Sequence, residues 1–240
     1  MKTVKILHLY SQAMDLYGDY NNITVLCQRI KETGNDVEVT APGLYEPIEL
    51  DGYDMVYIGH GKARNLAAIS EHFVSHADKI KKAIENGQVW YASGNSRELF
   101  GESCTSPDGK EHEGIGLFDY RGVETNQVFV CDMIGRPDYD KDEIVYGFAN
   151  RTAYLEGKNK YPLFDVITGF SDGAAPDGLE GTHYKNFFGT WGIGPVLVRN
   201  PSFMKHILKL LLGDDYKECD FTLEQAALDL VIAEFKDKKD

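Results

Sequence analysis

Cysteine is sparse in this chain: four residues, Cys27, Cys104, Cys131 and Cys219, lie far apart among 240, and none forms a Cys-x-x-Cys pair. That spacing excludes a zinc ribbon and a thioredoxin-type redox motif. Basic residues are also few, 25 Lys and Arg against 38 Asp and Glu, for a formal net charge of −13. Such a balance argues against nucleic acid or an anionic membrane as a partner. No apolar run reaches the roughly 20 residues of a membrane-spanning helix. Met1–Tyr10 enters a strand pattern without the apolar segment and cleavage site of a secretory signal. A reducing, cytoplasmic setting is the expectation, with Cys27 and Cys131 as small core residues and Cys104 as a loop thiol. What the chain does have is 42% hydrophobic and 12% aromatic residues, enough for a packed core. Its length fits one α/β domain over residues 1–240.

Periodicity sets out the first half. Val4–Tyr10 reads as a strand, and Asn21–Thr33 as an amphipathic helix with Ile23, Leu26, Cys27 and Ile30 on one stripe. Asp36–Thr40 and Tyr53–Gly59 are further strands, Ala67–Asn86 one long helix, and Val89–Ala92 a fourth strand. This alternation predicts an α/β fold: a mainly parallel sheet flanked by helices. Beyond Gly101 the pattern changes. Glu124–Met133, Glu143–Asn150 and Phe164–Phe170 predict an antiparallel extension, Gly169–Gly178 a loop or hairpin tip, and Phe187–Thr190 one more strand. Ser202–Leu212 and Thr222–Phe235 predict closing helices, and Asp237–Asp240 a frayed charged tail.

Gln88–Gly101 has the form of a nucleophile elbow: a buried strand, a small-residue turn, then a helix. The turn holds Ser93, Gly94, Asn95 and Ser96, and no cysteine. Three further stretches stand out: Leu9–Ile23, Thr105–Asp119, and Gly181-Thr-His-Tyr-Lys-Asn-Phe-Phe-Gly-Thr190 followed by Gly194-Pro195. With these segments the chain resembles the class I glutamine amidotransferases of the cobyric acid synthase type, and within them the glutaminase subunits of lipid II isoglutaminyl synthases.

The resemblance implies a cysteine at the elbow that attacks a glutamine amide, a histidine near the terminal Gly-Pro as base, and backbone N–H groups holding the oxyanion. It sets Gly94 at the nucleophile position and Ile193 at the base position. Gln127 falls where an arginine would clamp glutamine, and the glycine-rich loop becomes Gly59–Asn65. The expected site is thus vestigial, at Gly94, Ile193 and Gln127, beside a candidate pocket of Gly59, His60, Gly61, Ser93, Asn95 and Ser96. By the same resemblance a working relative delivers ammonia to a Mur-ligase-like synthetase subunit that amidates a cell-wall precursor. The expected role here is a non-catalytic or regulatory subunit, with no cofactor and no metal.

Two alternatives compete. Ser93 or Ser96 is a nucleophile with His60 as base, in an active hydrolase; otherwise both serines serve the turn and cap the helix. Or the pocket binds a small molecule without any partner subunit. Gly59-His-Gly61 is too short for a nucleotide-phosphate loop. His183 is expected as a hydrogen-bonded structural residue, and His72 and His76 as a solvated pair without a third metal ligand. Asp138–Glu143 lacks the glycine and glutamate of a calcium loop and is expected as an acidic surface loop.

Overall fold

In the computed structural model, residues 1–174 and 178–237 are described; part of the Gly169–Gly178 loop and the tail beyond Asp237 lie outside them. The first half alternates as its periodicity predicts. It runs β1 (Thr3–Leu9), α1 (Asn21–Glu32), β2 (Asp36–Thr40), β3 (Met55–Ile58), α2 (Ala63–Val74), α3 (Ala77–Glu85) and β4 (Val89–Ser93). A 3₁₀ segment, Gly94–Phe100, follows β4 where an α-helix was expected. The second half holds β5 (Ser103–Thr105), β6 (Glu111–Glu113), β7 (Tyr120–Pro137), β8 (Val145–Gly157), β9 (Phe164–Gly169), β10 (Leu179–Glu180), β11 (Thr182–Tyr184) and β12 (Phe187–Thr190). It closes with α4 (Val196–Arg199), α5 (Pro201–Leu212) and α6 (Thr222–Asp237).

The central sheet has the order β11-β12-β4-β3-β1-β2. It is parallel except for the β11–β12 pair. Every residue of β3 and β4 is buried, as strands covered on both faces require. The second sheet is built on the long β7–β8 antiparallel pair, with β9 on the other edge of β7 and β5 joining it in parallel. Its register slips between Glu124 and Phe129, a bulge in β7.

Three expectations change. The single helix over Ala67–Asn86 is two helices starting at Ala63. At the break, the Ser75 hydroxyl (2.7 Å) and the His76 ring (Nδ1, 2.9 Å) bond to the His72 carbonyl, competing for an acceptor that a continuous helix would use. Cys131 is exposed on β7 rather than in the core, and Cys104 is buried in β5 rather than in a loop. Burial beside Glu98 pushes the Cys104 thiol up to about 12, so it is no thiolate at neutral pH.

Candidate active-site cleft

The chain leaves β4 at Ser93 and turns at Gly94 with φ +60°. An L side chain at such a backbone costs about 1–2 kcal/mol. Space is equally restrictive. A Cβ on Gly94 would lie 2.5 Å from Cγ of His60 and nearer still to its Nδ1. The predicted elbow is present, and its apex admits no side chain while His60 stands there.

His60 is held by the loop that follows β3. Gly59 and Gly61 let this loop lie against the Ala13–Met14 backbone, where a Cβ on Gly61 would meet the Ala13 carbonyl at 3.0 Å. The His60 backbone N–H donates to Asp19 Oδ2 (2.7 Å), and the ring stacks on Tyr17 at 5.8 Å between centroids. Nδ1 accepts the Asn95 N–H (3.1 Å), which puts the ring proton on Nε2. Asn95 Oδ1 in turn accepts the Gly61 N–H (3.0 Å). Both backbone donors that flank the elbow are therefore occupied by the chain's own side chains. Burial lowers the His60 pKa to about 4 and raises that of Asp19 to about 6.

Neither serine faces an open cleft. Ser93 Oγ donates to the Gly192 carbonyl (3.2 Å); Ser96 Oγ donates to those of Ser93 (2.8 Å) and Ile58 (3.1 Å). Ser93 stands at the start of the 3₁₀ segment without a side-chain capping bond, so the capping role expected of it is not made. Like Gly59, these serines support the elbow from behind, whereas His60, Gly61 and Asn95 line the cavity.

The downstream wall comes from β12, parallel to β4 with Thr190 opposite Ser93. Ile193 follows, buried, its N–H bonded to the Phe148 carbonyl of β8 (2.8 Å). This wall is tied to the elbow segment through charge. Arg97 is fully buried and grips the Asp172 carboxylate with both terminal nitrogens. It also donates to Thr182 Oγ1 (2.9 Å) and lies 3.4 Å from Glu180. Glu180 accepts the Trp191 N–H (2.6 Å) and the Thr190 hydroxyl (2.9 Å).

Gln127 lies away from this cleft, exposed in the β7 bulge with its N–H on Thr125 Oγ1 (3.1 Å). The guanidinium that does reach the cleft belongs to Arg151 of β8, which the sequence reading passed over. Between the sheets lies a cavity of about 210 Å³, lined by Tyr17, Lys62, Glu98, Glu124, Arg151 and Trp191 together with His60, Gly61 and Asn95.

The CobB/CobQ-like glutamine amidotransferase domain model matches residues 5–200. The chain belongs to this family. It is 31% identical to the lipid II isoglutaminyl synthase (glutamine-hydrolyzing) subunit GatD of Streptococcus pneumoniae (strain ATCC BAA-255 / R6), over 89% of this chain and 82% of that protein. It is 30% identical to the same subunit of Staphylococcus aureus (strain N315), over 87% and 84%. Two solved glutamine amidotransferases share the fold. One has a TM-score of 0.57 at 12% identity, covering 86% of this chain and 98% of that one. The other, from Thermotoga maritima, has a TM-score of 0.52 at 10% identity, covering 97% and 92%.

The other histidines singled out in the sequence have partners within the fold. His183 bonds Asp138 (2.7 Å) and stacks on Phe188, which also ties down one end of the acidic Asp138–Glu143 loop. His72 bonds the Tyr10 hydroxyl (2.8 Å) and is tied to His76 through the helix break. Among the described residues no three His, Cys, Asp or Glu side chains gather as metal ligands, and no helix is long and apolar enough to cross a membrane.

Proposed function

We propose that this chain is a glutamine amidotransferase-like subunit that has lost glutamine hydrolysis and serves a non-catalytic or regulatory role. The carrying observation is that His60 fills the space at the elbow apex and takes the Asn95 N–H. Amide hydrolysis by this route needs a nucleophile at the apex, a base beside it, and free N–H donors for the oxyanion. By resemblance the first two places belong to Gly94 and Ile193, and neither side chain can gain or lose a proton. Gln127, at the clamp's place, is turned away from the cleft.

The relatives named above are glutamine-hydrolyzing subunits of lipid II isoglutaminyl synthase. That likeness supports a Mur-ligase-like synthetase subunit as the partner and cell-wall precursor amidation as the setting, with residues 1–240 acting as one domain. No observation favours a rewired Ser/His hydrolase, because Ser93 and Ser96 donate to carbonyls rather than to His60. The test is ammonia release from glutamine by the purified chain. Release at background level is expected; robust release that His60→Ala abolishes would overturn the reading.

A further inference from the structure

Helix α6 is held to the protein along a narrow strip. It buries Leu228, half-buries Val231, Ile232 and Phe235, and is pinned near its start by the Glu224–Arg29 ion pair. Its outward side is apolar as well. Leu223 is 83% exposed and Leu230 70%, with exposed Ala226, Ala227 and Ala233 on the same side at helical spacing. Two apolar grooves border the helix. One, of about 500 Å³, is lined by Tyr146, Val198, Arg199, Ala227 and Val231. The other, of about 300 Å³, is lined by Ile134, Arg136, Ile167, Ile232 and Phe235, and Ile167 is itself exposed. A lone exposed leucine is ordinary; a stripe continuous with two apolar grooves marks an interaction surface.

The charges on this face identify its occupant. Among the described side chains α6 exposes two acids, Asp229 and Glu234; Asp229 accepts from Gln225 Nε2 (3.0 Å). Each groove carries one exposed arginine. Arg199 lies 5.5 Å from the Tyr146 ring centroid, and Arg136 donates to the Lys141 carbonyl (2.8 Å). None of these four charges has an ion-pair partner among the described residues. On a chain of net charge −13 this face is balanced, so the repulsion that opposes self-association elsewhere is absent here. Charges more than about 8 Å away are screened at physiological salt. One surface therefore carries both ridge and groove, and both acid and base. A two-fold contact requires that self-complementarity, because every residue in it appears on both sides. We propose that this face docks a second copy of the chain, α6 against α6. Leu230 of each copy enters a groove beside the other's helix, and Ala226 and Ala227 let the two helices approach closely. Asp229 and Glu234 meet Arg199 and Arg136 of the partner subunit. A 16-residue helix is about 24 Å long, and with its grooves it covers on the order of 600 Å² per copy, under the roughly 800 Å² of a standard interface. The dimer is accordingly a weak one.

Sedimentation velocity of the full chain from about 5 to 300 µM tests this. A monomer–dimer equilibrium with Kd between about 10 and 200 µM is expected. Leu230→Glu, at an exposed position, should raise Kd at least about tenfold. Ile167→Lys, on the β9 wall of the second groove, should do the same without altering α6. Asp229→Arg and Arg199→Asp should each weaken the dimer about fivefold, and both together in one chain should restore it, because the exchanged charges still meet across the two-fold axis. A chain that stays monomeric up to about 300 µM overturns the proposal. So does a dimer whose Kd either Leu230→Glu or Ile167→Lys leaves unchanged, or a double charge variant that dimerises more weakly than both single variants.

Discussion

The His60 imidazole stands where a side chain on Gly94 would stand, within 2.5 Å of the position its Cβ would take, and holds the Asn95 N–H at 3.1 Å. One residue from the β3 loop thus fills the elbow apex and occupies its adjacent donor. The loop stays there because the His60 N–H is fixed on buried Asp19 and its ring lies under Tyr17.

Gly94→Cys should therefore destabilise the chain by about 2–4 kcal/mol, from left-handed strain and from overpacking against His60. Gly94→Cys with Ile193→His, the pair that the resemblance asks for, should still release no ammonia. Adding His60→Gly to Gly94→Cys should recover much of the lost stability. Denaturant midpoints of the two single variants and the double variant measure the coupling, and simple additivity would show that the residues do not compete for one space.

Acid should act on this pair in a defined direction. His60 is held neutral down to about pH 4, whereas an unfolded histidine takes up its proton near 6.5. Between these values the unfolded state binds more protons, so stability falls as pH drops from 6.5 to 4, by up to about 3 kcal/mol from this group. Asp19 works oppositely: its pKa is raised from 3.8 to about 6, so its contribution falls as pH rises through that window. Compared with the parent, His60→Phe should lose less stability on acidification and Asp19→Asn less on the return to neutral pH. Unfolding free energies from pH 4 to 7 check both slopes.

The central sheet was legible because β3 and β4 are continuous apolar runs and the helices between strands have a clear stripe. The elbow was legible too, since small residues directly after a buried strand mark a sharp turn. What fills it was not. His60 and Asn95 are 35 residues apart, and Arg97 and Asp172 75 apart, so no local pattern announces either contact. Arg151 was missed for a related reason: it sits in an alternating strand like any outward-facing polar residue, and only the β7–β8 register, with Phe129 opposite Arg151, turns it toward the cleft. Gln127 shows the reverse, a position aligned with a clamp that a bulge carries outward.

Arg97→Met should cost about 3–5 kcal/mol, because it leaves the buried Asp172 carboxylate without its cation. Arg97→Met with Asp172→Asn should lose less than the sum of the two single changes, since neither residue then strands a charge. Urea denaturation of the three variants measures this, and equality with the sum would show that the pair does not couple the elbow segment to the wall carrying Glu180.

Ser93 and Ser96 offer the sharpest separation between a silent cleft and a rewired hydrolase. Each hydroxyl donates to main-chain carbonyls, Ser93 to Gly192 and Ser96 to Ile58 and Ser93, and both side chains are fully buried. A serine nucleophile needs its hydroxyl proton directed at a base, and neither hydroxyl here is directed at His60. A fluorophosphonate probe should therefore leave the folded chain unlabelled. Ser93→Ala and Ser96→Ala should each cost about 0.5–1.5 kcal/mol, the worth of a buried hydrogen bond, with ammonia release unchanged at background. Labelling of either serine that His60→Ala prevents would establish a Ser/His pair and promote the hydrolase.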